Sequence, residues 1–206
     1  QFCEVRDRDG AERTLLTAIA SGMSSSDLAD MLFAASTDHL FLDGGHTLDF
    51  VNKACEMLDR IGWEHAAEIL PSVIPPITSA MRSEELNNWR HPVDLVDLLA
   101  STMSELPDIL AAPRATDWTS KDTFTDILLA DDPYAIVATL REALCSGAPL
   151  TDITRTLSYA AAVRIARFHT SNEFADWITV LHTFTYANAL HQSMGRSPSP
   201  ELARGI

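Results

Sequence analysis

A stretch of about twenty residues occurs twice in this chain, and no other feature constrains the fold as strongly. Residues 14–36 read TLLTAIASGMSSSDLADMLFAAS, and residues 139–161 read TLREALCSGAPLTDITRTLSYAA. Aligned without a gap, they share eight identical pairs: Thr14/Thr139, Leu15/Leu140, Ala18/Ala143, Ser21/Ser146, Gly22/Gly147, Asp27/Asp152, Leu32/Leu157 and Ala35/Ala160. Identity at about one position in three indicates a duplicated helical unit.

A histidine follows at the same place in each copy. HTLDFVN (46–52) matches HTFTYAN (182–188) after an insertion in the second copy, which aligns His46 with His182. We therefore predict a single domain over 1–206 built from two repeats related by a pseudo-twofold axis. The expected boundaries are about 4–62 for repeat one, about 132–194 for repeat two, 63–131 for the connecting helices and 195–206 for a flexible tail.

Helical signals dominate the chain, and no sustained run of alternating β-branched residues is present. Gly22 and Gly147 stand where helices end, and the serines at 24–26 offer an N-cap. Pro71, Pro75 and Pro76 should bend or break one helix. The sequence predicts an all-α helical bundle. Its expected helices cover 4–21, 24–43, 46–61, 64–81, a segment that begins at Pro92, 133–146, 151–168 and 173–194, with an irregular connection over 106–122.

The charge of the chain argues against nucleic acid and membrane surfaces as partners. There are 29 acidic and 15 basic residues, so the formal net charge is −14. Such a surface repels phosphate backbones and anionic lipids. No apolar run reaches the roughly 18–20 residues that span a bilayer. Three separated cysteines without a Cys-x-x-Cys pair argue against a disulfide framework, so we expect a cytoplasmic protein.

The clearest chemical signal is the placement of the seven histidines. His46 and His182 occupy equivalent positions, so they should meet near the pseudo-twofold axis. Imidazole and carboxylate ligands together suit iron, with manganese or zinc also compatible. His39 lies seven residues before His46, and Glu173 and Asp176 lie four and seven residues after His169, spacings that would place these side chains on one face of a continuous helix. The predicted metal ligands are His39, His46, His169, His182 and Asp176, with Glu173 as the alternative carboxylate.

Two other interpretations use the same residues. In the first, His182 or His46 acts as a general base beside Glu173 or Asp176, which makes His182 and Glu173 the predicted catalytic pair. The surrounding cavity would then have a wall of aromatic residues, namely Phe168, Trp177, Phe184 and Tyr186. In the second, the histidines and aromatics are ordinary core residues. The Glu-x-x-His pattern of ferritin-like di-iron proteins is absent from the sequence.

The repeated pattern LxxAxxSGxxxxDL/IxxxLxxAA resembles the helix pair of the carboxymuconolactone decarboxylase and alkylhydroperoxidase D-like families. The catalytic cysteines of those families have no counterpart here, so the resemblance implies the fold and not the peroxidase activity.

Three further segments are similar to an uncharacterised, histidine-rich helical region associated with bacterial proteins that also carry a Rieske-type ferredoxin module. They are residues 43–58, 89–95 and 164–192. The paired Cys-x-His and Cys-x-x-His ligands of a Rieske cluster are missing. The resemblance implies a ferredoxin-type electron donor as partner.

Together these patterns predict a metal-dependent oxidoreductase that acts on a small, mostly apolar molecule in a histidine-lined cavity between the repeats. A homo-oligomer is expected, because a small duplicated helical domain commonly completes its core against a second copy. The alternative is a non-catalytic helical docking or oligomerisation module.

Overall fold

A computed structural model describes residues 1–112, 118 and 122–206. Every regular element in these ranges is helical, which confirms the all-α prediction. None of the helices described there is long and apolar enough to cross a bilayer. The α-helices are α1 (Arg8–Ala20), α2 (Ser25–Thr37), α3 (His46–Ile61), α4 (Ala66–Ile69), α5 (Ile74–Thr78), α6 (Leu95–Ala111), α7 (Asp122–Leu128), α8 (Pro133–Cys145), α9 (Leu150–Arg167) and α10 (Phe174–Arg196).

Side-chain caps set the starts of several helices where the sequence indicated them. The Ser24 hydroxyl accepts from the backbone N–H of Asp27 at 3.1 Å and so caps α2. Asp132 accepts from two backbone N–H groups at the start of α8, where Pro133 occupies the first turn. Each cap of this kind contributes about 1 kcal/mol, since it satisfies helix N–H groups that lack a partner.

Proline residues alter two of the predicted helices in opposite ways. The helix expected over 64–81 is divided into α4 and α5 by a 3₁₀ turn containing Pro71. By contrast, α6 begins at Leu95, after the N-cap of Asp94 and not at Pro92, and it continues through Pro107 to Ala111, although irregular structure was expected from residue 106. Leu106 is buried, and Arg141 of α8 pairs with Glu105 of α6 at 2.6 Å, so tertiary contacts hold this part of α6 despite the hydrogen bond that Pro107 removes. Residues 113–117 and 119–121 of that predicted connection lie outside the described residues.

The centre of the fold is the pair α3 and α10, which run parallel to each other. His46 lies against His182 near one end, and Arg196 donates to Asp59 at 3.0 Å near the other. α2 packs on the outer side of α3, and α9 packs along α10. Aligned residues of the two copies therefore meet across the α3–α10 contact. The pseudo-twofold relation between the whole repeats stays a prediction.

The last residues pack against the helices, although we expected a flexible tail over 195–206. Leu202 and Ala203 are buried in a short 3₁₀ turn, Leu202–Gly205. The Thr37 hydroxyl donates to the carbonyl of Glu201 at 2.9 Å. The apolar residues of this segment thus contribute to the core, and proline and serine content alone did not indicate that.

Candidate functional site

The loop between α2 and α3 has an unusual backbone. Phe41, Asp43, Gly44 and Gly45 have φ of +43°, +50°, +62° and +90°, in the left-handed region. This conformation costs about 1–2 kcal/mol for each residue that is not glycine, so Phe41 and Asp43 carry strain. Neighbouring contacts hold them, since the N–H of Asp43 donates to the Met81 carbonyl at 2.9 Å. Strain of this kind is concentrated at functional sites.

The two glycines of this loop allow α10 to approach the start of α3. A Cβ atom on Gly45 would lie 2.8 Å from the Cβ of Tyr186 and 3.0 Å from the ring of Phe41. A Cβ on Gly44 would lie 3.6 Å from Nδ1 of His182. Only glycine at position 45 permits this approach, so the loop brings the first turn of α3 next to His182.

His46 and His182 are in direct contact. Their ring centroids are 4.2 Å apart with an interplanar angle of 66°, and Phe50 stacks on the other face of His46 at 5.5 Å. Burial lowers the pKa of His182, the nearby His46 lowers it further, and Asp43 opposes both effects. A lowered pKa favours neutral imidazole, the form that binds a metal ion or accepts a proton.

Three of the other predicted site residues lie near the start of α10 in structural roles. His169 is exposed, and its Nδ1 lies 2.7 Å from the hydroxyl of Ser171. Glu173 and Asp176 are exposed and form a capping box, in which each carboxylate accepts from the backbone N–H of the other residue. The i, i+3 spacing that suggested two carboxylates facing a metal is also the spacing of this cap.

His39 occupies a different environment from the His46–His182 pair. Its Nδ1 lies 2.5 Å from Oε1 of Glu84, and its Nε2 lies 2.7 Å from Oε2 of Glu4. Arg82 also pairs with Glu4, at 3.5 Å. Both ring nitrogens of His39 are therefore engaged by carboxylates, and the residue links the N-terminal segment to the turn at 83–85.

The five predicted metal ligands do not form one group within the part of the chain that the structure describes. There, the set of three donor atoms within 4.8 Å of one another belongs to Glu4, Asp38 and His39. Asp38 is paired with Arg204 at 3.0 Å, and the other two residues pair as described above. This set contains only His39 from the predicted shell. A metal ion at the His46–His182 pair would accordingly have these two imidazoles as its protein ligands.

An apolar cavity of about 260 Å³ lies between α7, α8, α9 and α10. Phe41 of the strained loop and Tyr186 of α10 form part of its wall, with ring centroids 5.0 Å apart. The Tyr186 hydroxyl donates to the Gly205 carbonyl at 3.1 Å, and burial raises the pKa of Tyr186 above its usual range. Tyr186 was predicted to line a cavity. Phe168 and Trp177 instead contact each other edge to face at 4.9 Å.

His182 precedes one lining residue of this cavity in the sequence, but neither His46 nor His182 is among its described lining residues. Thr183 and Tyr186 of α10 line the cavity, and His182 of the same helix contacts His46 of α3. Residues four apart on a helix have Cβ atoms about 5–6 Å apart, so His182 is about one turn from Tyr186. An apolar molecule in the cavity would contact Tyr186 of α10 directly, and the imidazole pair would lie about one helical turn away from that residue.

Two residues of the cavity were not anticipated from the sequence. Phe41 precedes the glycine pair, and its left-handed conformation could not be inferred from residue type. Arg164 also lines the cavity. In the sequence it stands within the apolar stripe of α9, and a positive charge at such a position is the signal that could have drawn attention to it.

Comparison of the chain with models of protein families, with curated proteins and with solved structures gave no match.

Proposed function

We propose that this protein is a metal-dependent oxidoreductase that binds a small, mostly apolar molecule in the cavity beside the His46–His182 pair. The proposal rests on one observation. Two histidines 136 residues apart in sequence, at aligned positions of the repeated stretch, are in contact next to an apolar cavity. Concave apolar sites with a few convergent polar groups are the usual setting of small-molecule binding.

The chemistry of the pair supports a metal ion. Neutral imidazoles bind iron, zinc and related ions, and iron is our first candidate, with manganese or zinc also compatible. A redox-active ion held by two protein ligands would supply electron transfer and keep open positions for other ligands. His46 and His182 hold the ion, the cavity wall orients the apolar molecule, and Phe50 shields one face of His46.

The remaining parts of this proposal concern partners and location. An electron donor of the ferredoxin type would serve a redox metal at the partly exposed histidine pair. A cytoplasmic location fits the unpaired cysteines Cys3, Cys55 and Cys145. Burial raises the pKa of the Cys55 thiol to about 11, so this residue is unreactive.

A second candidate function is a docking or homo-oligomerisation module. It is favoured by an exposed apolar stripe on α3, formed by Phe50, Met57 and Ile61, which are 47%, 50% and 45% exposed. These residues are seven and four apart, so they project from one side of the helix. A stripe of this kind suits a second helical surface.

Elemental analysis of protein purified without chelator tests the metal proposal. We expect about one equivalent of bound metal, taken up again from added Fe²⁺, Mn²⁺ or Zn²⁺ after removal. The double variant His46→Ala/His182→Ala should lose this metal. His65→Ala is the matched control, because His65 is partly exposed and its ion-pair partner among the described residues is Glu68.

A third variant separates the two metal-compatible places in the fold. His39→Ala removes the one imidazole of the Glu4, Asp38 and His39 set. Metal lost in His39→Ala but kept in the double variant would place the ion at that set and contradict our assignment. Wild-type protein with no affinity for any of the three ions would leave the docking module as the better function.

A further inference from the structure

One charged side chain lines the otherwise apolar cavity. Among the side chains of its described lining residues, the guanidinium of Arg164 on α9 and the phenol of Tyr186 are the ionisable groups. Nη2 of Arg164 donates to the backbone carbonyl of Leu129 at 3.1 Å, which holds the guanidinium against the wall formed by α7. The fork of a guanidinium carries five N–H donors, so this bond leaves most of them available.

The lack of an ion pair at Arg164 is unusual for its burial. Of the arginines described by the structure, Arg82, Arg164 and Arg196 are partly buried. Arg82 pairs with Glu4, and Arg196 pairs with Asp59. No carboxylate of the described residues lies within ion-pairing distance of Arg164. A partly buried cation without a counter-charge is costly, and an anionic ligand would offset that cost.

The size and the lining of the cavity favour a carboxylate over a phosphate. Its volume of about 260 Å³ is slightly below the roughly 300–1,000 Å³ that is typical of drug-sized ligands. Leu157, Ala160 and Leu190 provide apolar contacts and no further hydrogen-bond donors. A phosphate carries nearly two charges, and one guanidinium would leave it incompletely neutralised. A carboxylate matches the fork of one guanidinium with two parallel hydrogen bonds.

We infer that the cavity binds a small apolar molecule that bears a single carboxylate, and that Arg164 holds this carboxylate. The inference rests on the proposed function, since it specifies the substrate class for the same cavity. The apolar body of the ligand packs against α9 and α10. The carboxylate fixes its orientation at Arg164.

Titration calorimetry with matched probes tests the carboxylate. The probes are hexanoate, hexanamide and 1-hexanol, together with phenylacetate and phenylacetamide, so that each acid is compared with a neutral molecule of the same skeleton. Wild-type protein should bind at least one acid about tenfold or more tightly than its amide, because hydrogen bonds to charged groups are the stronger kind. Arg164→Gln should abolish that preference, and Arg164→Lys should retain part of it.

The matched control is Arg167→Gln, which removes one positive charge from an exposed residue of the same helix. It should leave the acid preference unchanged, and circular dichroism should show wild-type helix content in all three variants. If Arg167→Gln lost the preference for acids over amides to the same extent, the preference would come from net charge alone, and the inference would be overturned.

The failure of this inference can be told apart from that of the proposed function. Amides or the alcohol binding as tightly as the acids would overturn the carboxylate and leave the apolar cavity as the binding site. If no probe binds wild-type protein at millimolar concentration, the inference and the cavity part of the proposed function both fail. Metal binding at His46 and His182 is measured separately and is unaffected by this outcome.

Discussion

The two copies of the repeated stretch contain the same glycine turn between their helices, but the connections to the following helices differ. Between α1 and α2 the chain turns at Gly22 with φ of +78°, and between α8 and α9 it turns at Gly147 with φ of +84°. After each glycine, the next N–H donates to the carbonyl of an alanine five residues earlier, Ala18 at 3.2 Å and Ala143 at 3.0 Å. This is the hydrogen bond of a Schellman motif, so the same sequence produces the same helix end twice.

The following connections have little in common. α2 leads to α3 through a loop with four left-handed residues, and His46 is the first residue of α3. α9 leads to α10 through residues 168–173, and α10 begins eight residues before His182. The insertion in the second copy thus lengthens a helix, while the first copy uses a strained loop. The contact between the two histidines therefore depends on the loop of the first copy.

The largest expected effect tests that loop. Gly45→Ala adds a methyl group 2.8 Å from the Cβ of Tyr186 to a residue with φ of +90°. Left-handed strain of about 1–2 kcal/mol and overpacking of about 1–3 kcal/mol should together lower the free energy of unfolding by about 3 kcal/mol. Urea denaturation measures the change. Gly44→Ala is the control, because among the described residues its methyl group would meet only His182, at 3.6 Å, and the change should cost about 1–2 kcal/mol.

If Gly45→Ala and Gly44→Ala cost the same, the close approach of α10 to the start of α3 does not stabilise the fold. The stability data would then give no reason to think that the contact between His46 and His182 depends on Gly45.

A smaller effect tests the turn that the copies share. Gly22→Ala and Gly147→Ala each place alanine at a left-handed helix end, which should cost about 1 kcal/mol. No atom of the residues that the structure describes would lie within 4 Å of a Cβ on Gly22, so backbone strain is the expected cost there. Thermal or urea unfolding of the two variants should give losses that agree within about 0.5 kcal/mol. A several-fold larger loss at either glycine would show that the two turns are not equivalent in energy.

The smallest expected effect concerns the histidine pair and pH. The pKa of His182 is lowered in the folded protein from its ordinary value of 6.5, so the unfolded chain binds the proton more readily. The contribution of His182 to stability is therefore fully present above pH 6.5 and decreases as the pH falls from 6.5 through the lowered folded pKa. NMR titration of the His182 ring should give a midpoint below 6.5.

The variant His46→Ala sharpens this measurement. It removes the charge of His46, which is the second cause of the lowered pKa, and leaves burial as the first. The midpoint of His182 should move up toward 6.5 without reaching it. An unchanged midpoint would show that the two rings do not interact in solution.

Local alignment predicted that two of the histidines meet, whereas their role as metal ligands stays a prediction. The repeat placed His46 and His182 at equivalent positions, and the structure places their rings in contact. For His169 and Asp176, helical spacing was the only guide. α10 begins after His169 and Glu173, so these two residues are not part of the helix and helical spacing does not apply to them. His39 was assigned from its distance to His46 in sequence, but its partners come from residues 4 and 84.

The sequence by itself determined the helical class, the α3 boundaries and the paired helix ends, because periodicity, caps and glycine conformation act over a few residues. Only the tertiary structure decided that α3 and α10 run in parallel, that the C-terminal segment joins the core and that Arg164 lines a cavity without an ion-pair partner among the described side chains. These features depend on contacts between residues tens to more than a hundred positions apart. Their energies arise from burial and from the positions of partners, and neither is encoded in residue spacing.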